Sequence, residues 1–305
     1  MSTASTIRRV AIVGSTASGK SSVATAVARA VPDVDLLSID SMQVYRGMDI
    51  GTAKPSRAER AEVRHHLLDL VEPTDDFTVA EFRRAYDQVL VALAAAGRRA
   101  LLVGGTGLYH RVVIDEFDLP GEWPAVRAEL EREPDTTALF GRLQELDPDA
   151  VAKMEPTNRR RVVRALEVTI GSGRAFSSFG PGVDAYPPSA VQQIGLRWPR
   201  ELLTERIAQR VEQMVEEGLV EEVEQLAAVG FSRTARQALG YKEILDALEG
   251  RMSKDEAIAT TITRTRQFAV RQERWFRRDP RVRWIDVEHD PVAEAAPAVI
   301  AALET

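Results

Sequence analysis

The stretch that most constrains this chain is Gly14-Ser15-Thr16-Ala17-Ser18-Gly19-Lys20-Ser21. It follows the apolar run Val10-Ala11-Ile12-Val13 and precedes a segment carrying Val23, Val27 and Val31 at helical spacing. A strand, a glycine-rich loop and a helix start in that order form a phosphate cradle of the G-x-x-x-x-G-K-[ST] type. The glycines let backbone N–H groups turn inward, the helix N-terminus adds partial positive charge, and Lys20 supplies a full one. Ser21 is the residue expected to hold Mg²⁺. A polyphosphate is therefore expected between Gly14 and Ser21, but the loop says neither which one nor what is done to it.

The rest of the composition narrows the classes. With no cysteine among 305 residues, disulfides, thiolate zinc sites and cysteine nucleophiles are excluded. The four histidines (His65, His66, His110 and His289) lack metal-ligand spacing. The chain has no apolar run of membrane-spanning length, and Met1 to Thr6 lack the pattern of a secretion signal, so a cytoplasmic protein with no membrane partner is expected. The net charge of −6 hides an uneven distribution. Between Ile262 and Arg283 stand Arg264, Arg266, Arg271, Arg274, Arg277, Arg278, Arg281 and Arg283 against Glu273 and Asp279, and Arg159, Arg160, Arg161 and Arg164 form a second cluster. Arginine clusters on an acidic background fit an anionic polymer as partner, although a charge run can equally be a solvated helix face.

In chain order, Arg8 to Val13, Val34 to Ile39, His66 to Val71, Ala100 to Val103, Val191 to Leu196 and Val282 to Ile285 read as strands, and Lys20 to Val31 and Thr78 to Ala96 as helices. Asp40 closes the second strand, and in an open parallel sheet ligands lie beyond the carboxyl ends of strands, so Asp40 should face the cradle. Asp40 to Pro55 has neither helical nor strand period, which for a loop of that length points to function. A second glycine turn, Gly104-Gly105-Thr106-Gly107, ends the fourth strand, where backbone can approach a ligand closely and Thr106 offers a hydroxyl. From about Asp118 the pattern becomes helical and charged until the strand at Val191. The expected organisation is an α/β, P-loop NTPase-like parallel-sheet core made of 1–117 and 191–305, with a helical insertion domain at 118–190.

A cradle with Mg²⁺ and a carboxylate at a neighbouring strand end suits phosphoryl transfer, nucleotide-driven switching, or a reaction in which diphosphate departs. Spacing does not choose among them. The choice comes from resemblance. Gly14 to Ser21, the string Ser38 to Pro55, Gly104 to Tyr109, Asn158 to Val168, Gln237 to Lys242 and Thr265 to Gln272 resemble, in that order, the bacterial tRNA dimethylallyltransferase (tRNA isopentenyltransferase) family. The resemblance covers about residues 8 to 286. The family often has proline at the position of Ser15, and its eukaryotic members carry a zinc finger that this cysteine-free chain lacks.

The resemblance implies transfer of a dimethylallyl group from dimethylallyl diphosphate to the exocyclic amine of the adenosine 3′ of the anticodon. Asp40 would be the general base, with a Mg²⁺ ligand or loop cap as its alternative role. Thr106 would contact the diphosphate. Gly14, Ser15, Thr16, Ala17, Ser18, Gly19, Lys20 and Ser21 would bind the diphosphate, and Arg206 and Arg210, one helical turn apart, are candidates for closing over it, with plain helix-surface charges as the alternative. The tRNA anticodon stem-loop would be held by Asp40, Ser41, Met42, Gln43 and Thr106, by Arg127, by Arg160, Arg161, Val162, Val163 and Arg164, and by Gln237, Ala238, Leu239, Gly240, Tyr241 and Lys242. A monomer is expected. The rival readings are a small-molecule kinase, a non-enzymatic RNA-binding or switch protein, and an isopentenyltransferase acting on free adenine nucleotides.

Overall fold

The computed structural model describes residues 7–304 apart from 116, 118, 181 and 183. The leader Met1 to Thr6 and the expected boundary at Asp118 lie outside the described residues. The chain forms two compact units, one running up to Ile114 and resuming at Pro188, the other Asp115–Pro187.

The first part of the larger unit contains β1 (Arg9–Gly14), α1 (Lys20–Ala30), β2 (Val34–Ser38), α2 (Arg57–Glu62), β3 (His65–His66), α3 (Val79–Ala95), β4 (Arg99–Val103) and α4 (Gly107–Ile114). The smaller unit holds α5 (Pro124–Glu131), α6 (Thr136–Leu146), α7 (Pro148–Val151) and α8 (Arg159–Ser172). The larger unit then continues with β5 (Val191–Arg197), α9 (Arg200–Glu216), α10 (Leu219–Val229), α11 (Tyr241–Leu248), α12 (Lys254–Phe276), β6 (Val282–Asp286) and α13 (Pro291–Glu304). Its strands form one parallel sheet in the order β3-β2-β4-β1-β5-β6. The α/β class with a parallel sheet is as expected.

A sheet covered on both faces needs strands apolar at every position. In β1 all six residues are buried, with Ala11 and Val13 in one core and Val10 and Ile12 in the other. The same alternation in β2 and β4 divides Leu37 and Leu102 from Leu36 and Leu101. Each such side chain contributes about 1.5–3 kcal/mol on burial. This sheet fixes the carboxyl ends of β1, β2 and β4 side by side.

The expected strand from His66 to Val71 is a correction. Only His65–His66 pair with β2, because Leu67 and Asp69 take left-handed backbone at φ 65° and 54°. The chain leaves the sheet there, and Asp69 instead receives Lys54 and Arg60. The tail beyond Asp286, which matched no motif, forms α13, whose Ala295, Ala296, Val299, Ala302 and Leu303 complete one core. The smaller unit buries its own cluster, including Leu139, Leu143, Val162, Val163 and Leu166.

Candidate active site

The cradle follows β1 directly. Gly14 has φ 142°, and a Cβ there would lie 2.7 Å from the carbonyl oxygen of Leu196. Gly19 has φ 89°, and a Cβ would lie 2.5 Å from Pro291 at the start of α13. The loop carbonyls are occupied by side chains from elsewhere. Lys20 Nζ donates to Ser15 O at 2.6 Å, Trp198 Nε1 to Ser18 O at 3.0 Å, and Arg206 Nε to Ala17 O at 3.0 Å. Arg206 also stacks 4.2 Å over the Trp198 ring. Braced this way, the loop is shaped before any ligand arrives.

Asp40 sits just beyond β2. Its Oδ1 accepts from Met42 N at 2.8 Å, and Thr106 Oγ1 accepts from Ser41 N at 3.2 Å. Gln43 Nε2 donates to the carbonyls of Thr52 and Ala53, and its Oε1 accepts from Ser38 Oγ. The Lys54 side chain is fully buried, with Nζ 2.7 Å from Asp49, Asp69 and the Tyr45 carbonyl. Glu222 on α10 gathers the N–H groups of Asp49, Ile50 and Gly51 and the Tyr241 hydroxyl. The aperiodic Asp40 to Pro55 stretch is thus held by side chains together with a short backbone pairing, in which Val71 O accepts from Arg46 N and Val44 O from Leu70 N.

Two cavities meet at this point. One, of about 220 Å³, is lined by the cradle from Thr16 to Ser22 with Asp40, Gly104 and Gln272. The other, of about 320 Å³, is lined by Asp40, Met42, Thr106, Met214, Gln237 and Arg271 among others. Thr16, Ala17, Asp40, Thr52, Arg210 and Phe268 belong to both. A phosphate-binding chamber and a partly apolar chamber therefore share a wall carrying one carboxylate and one guanidinium.

Burial dominates the electrostatics of that wall. It lifts the Asp40 carboxyl above the usual carboxylate range, against the opposing pull of the Met42 and Gln43 N–H groups, Lys20 and Arg210. Burial, with the Arg210 charge, pulls Lys20 down to about 7, while Asp40 pulls the other way. Arg210 is lowered by burial too. A carboxylate that can take up a proton and an ammonium poised near neutrality lie beside one chamber.

Several expected site residues take other places. Thr106 lines the second chamber, where its hydroxyl accepts from Ser41 N beside Asp40. Arg206 is held against Ala17 and Trp198 on the outer side, and Arg210 alone of the pair lines the two chambers. Gly104 and Gly105 of the second turn line the cradle chamber, and the turn also packs closely against protein. A Cβ on Gly104 would lie 2.0 Å from Ile39 O, on Gly105 2.2 Å from Gln272 Nε2, and on Gly107 2.3 Å from Trp275 Nε1.

Of the expected RNA contacts, Ser41, Met42, Gln237, Ala238, Leu239 and Gly240 line the second chamber, but the Tyr241 ring is fully buried in the core. In the smaller unit, Val162 and Val163 are buried, so their side chains serve its core and do not face RNA. Arg164 is engaged with buried Glu167 at 3.0 Å and with the carbonyls of Pro120 and Gly121. Arg127 is shared between Glu131 and Glu167. Arg160 and Arg161 remain exposed on α8.

Sequence reasoning gave no role to Gln272, Phe268 or Trp198. A signal existed for the first two, since Thr261, Thr265, Phe268 and Gln272 recur at steps of four, three and four and so share one face of α12. Glu222 had none.

A family model described as IPP transferase matches residues 43–279. The tRNA dimethylallyltransferase of Thermobifida fusca is 46% identical over 301 residues, covering 95% of this chain and 93% of its own. The crystal structure of the full-length tRNA isopentenylpyrophosphate transferase from Bacillus halodurans aligns with a TM-score of 0.71 at 39% identity, covering 97% of each chain. A structure of a eukaryotic dimethylallyltransferase acting on tRNA aligns with a TM-score of 0.82 at 24% identity, covering 97% of this chain and 78% of its own, a likeness of fold.

Proposed function

This chain belongs to the IPP transferase family, and from that premise we propose how its two chambers carry out dimethylallyl transfer to tRNA. The cradle chamber takes the diphosphate of dimethylallyl diphosphate, and the second chamber takes the adenosine 3′ of the anticodon, splayed out of its stack. What supports this reading above all is that Asp40 and Arg210 line both chambers. A bond forms between the exocyclic nitrogen and the allylic carbon, the carbon–oxygen bond to diphosphate breaks, and the amine proton passes to Asp40. An adenine amine is a weak nucleophile, so a carboxylate that relieves the charge building on it lowers the barrier. Lys20, Arg210 and the cradle N–H groups stabilise the departing diphosphate, and no covalent protein nucleophile is needed.

The donor set at the cradle fits Mg²⁺. That ion keeps several waters and takes few protein oxygens beside those of its substrate, so the exposed Ser21 hydroxyl at the start of α1 is sufficient without an acidic cluster. Held by Ser21, Mg²⁺ would supply positive charge to the leaving group. Among the described residues no helix is long and apolar enough to cross a membrane. We take the enzyme to work as a cytoplasmic monomer, which sedimentation of the purified protein checks.

The direct test is mass spectrometry of tRNA incubated with the protein, Mg²⁺ and dimethylallyl diphosphate. The expected product is heavier by one five-carbon prenyl unit. Indifference to that donor, together with brisk ATP cleavage in the absence of RNA, would establish the kinase reading instead. Modification of free adenine nucleotides in preference to tRNA would establish the other rival.

In the smaller unit the exposed pair on α8 is the better probe of RNA contact than Arg164, whose loss would unbalance buried Glu167. Arg160→Ala combined with Arg161→Ala is expected to weaken tRNA binding and reduce the slope of log affinity against log salt by about 1–2 units. Filter binding across a salt series measures this, and an unchanged slope would make the pair solvated surface only.

A further inference from the structure

We propose that Gln272 is a positioning residue that couples the diphosphate cradle to the acceptor chamber. The proposal rests on the reading of the two chambers given above and assigns this residue a role in passing donor occupancy to the acceptor side. Gln272 projects from α12 to a point between the two glycine turns, where it is 6% exposed. Its Oε1 accepts from Thr16 N at 2.8 Å, within the cradle, and its Nε2 donates to Gly105 O at 2.9 Å. The next residue, Thr106, accepts from Ser41 N, and Ser41 follows Asp40. One path of three hydrogen bonds and two stretches of backbone thus runs from Thr16 through Gln272, Gly105, Thr106 and Ser41 to Asp40.

Three features make this path specific to an amide. Thr16 presents an N–H and Gly105 a carbonyl, so their bridge must accept at one end and donate at the other, as the planar amide of Gln272 does and a carboxylate or thioether does not. Burial leaves water little access to replace either bond. The absence of a side chain at Gly105 is itself required by Gln272, whose Nε2 would lie 2.2 Å from a Cβ there. The second glycine turn is shaped to receive this amide. When diphosphate fills the cradle and draws its N–H groups inward, any shift of Thr16 is transmitted to the backbone that carries Thr106 and orients Asp40. The path consists of packed, hydrogen-bonded groups linking two sites, the physical form that coupling requires.

The test uses the full-length protein with Gln272→Met, which keeps the volume and removes both bonds, and Gln272→Glu, which keeps only an acceptor. The affinity of an unmodified anticodon stem-loop RNA is measured with and without saturating inorganic diphosphate and Mg²⁺. In the parent protein, diphosphate is expected to change RNA affinity about fivefold or more, the lower end of ordinary coupling between sites. In both variants the ratio should collapse toward one. kcat should fall about tenfold to a hundredfold, the loss expected for one or two buried hydrogen bonds, with RNA affinity in the absence of diphosphate unchanged. Should Gln272→Met not fold, Gln272→Glu carries the same comparison.

A ratio retained in the folded variants, or a ratio of one in the parent, overturns the proposal and leaves the chamber assignment standing. Failure of inorganic diphosphate to bind the parent at all removes the cradle assignment, and the coupling with it. Turnover by Asp40→Asn tests the base independently of either result.

Discussion

Asp40→Asn is expected to lower prenyl transfer about 10²- to 10⁴-fold while leaving tRNA affinity unchanged. The two effects separate because the asparagine Oδ1 can still accept from Met42 N, the bond that shapes the turn after β2, while the amide cannot take up the amine proton. Single-turnover transfer with dimethylallyl diphosphate measures the first effect and filter binding the second. In the parent enzyme the pH dependence should carry the same signature. Burial raises Asp40 above the ordinary carboxylate range, so as pH falls the base is protonated, and the rate lost, at a higher pH than a solvated aspartate would allow. An acid limb of kcat/KM in that raised position, absent from the residual activity of Asp40→Asn, identifies the group. Near-normal turnover by the purified variant would remove Asp40 as the base and leave it a loop cap.

Much of this site was legible in the sequence because its framework is local. Val10 to Val13, Leu36 to Leu37 and Leu101 to Leu102 announce strands buried on both faces, and the loops at their ends follow from chain order. The spacing of Gly14 to Ser21 gives the cradle, the end of the second strand gives Asp40, and resemblance added the role expected of Asp40. What escaped is held by partners distant in sequence. Glu222 reaches the Ile50 N–H from 172 positions away and Gln272 the Thr16 N–H from 256, and no local pattern reports either bond. At the second glycine turn the sequence did not report the close packing of Ile39, Gln272 and Trp275 against the three glycines. Helix α13 was hidden by Pro297 within it, a residue that ordinarily breaks a helix, although Ala295, Val299 and Ala302 keep the helical interval. The arginines of α8 show the remaining limit. Four cations within six residues look like one unit, yet Arg159 donates to the carbonyls of Glu131, Glu133 and Pro134 and Arg164 pairs with Glu167, whereas Arg160 and Arg161 are exposed.

Lys20→Met is expected to abolish productive binding of dimethylallyl diphosphate, with kcat/KM for the donor down about 10³-fold, and at the same time to leave the protein as stable as the parent or more so. The lysine ammonium donates to the Ser15 carbonyl, and burial together with the Arg210 charge disfavours its charged form more than Asp40 favours it. Methionine keeps the apolar stem and removes the charge whose desolvation disfavours the empty state. The pH dependence of stability separates this account from a simple packing change. Lys20 titrates at about 7 in the folded protein and near 10.4 when unfolded, so below 7 both states hold the proton and the folded one bears the full cost of a buried cation. Between those values the folded state sheds it, and the parent gains stability with rising pH. The advantage of Lys20→Met in thermal midpoint should therefore be largest at pH 6 and shrink from about pH 7 toward pH 10. Diphosphate reverses the balance by adding negative charge to that of Asp40. Its binding at pH 8 should take up a proton in the parent beyond what Lys20→Met shows, a difference read by calorimetry in buffers of unequal ionisation enthalpy. An equal proton count in the two proteins, or a variant that still uses the donor well, would mean that the cradle holds diphosphate through its N–H groups and Arg210 alone.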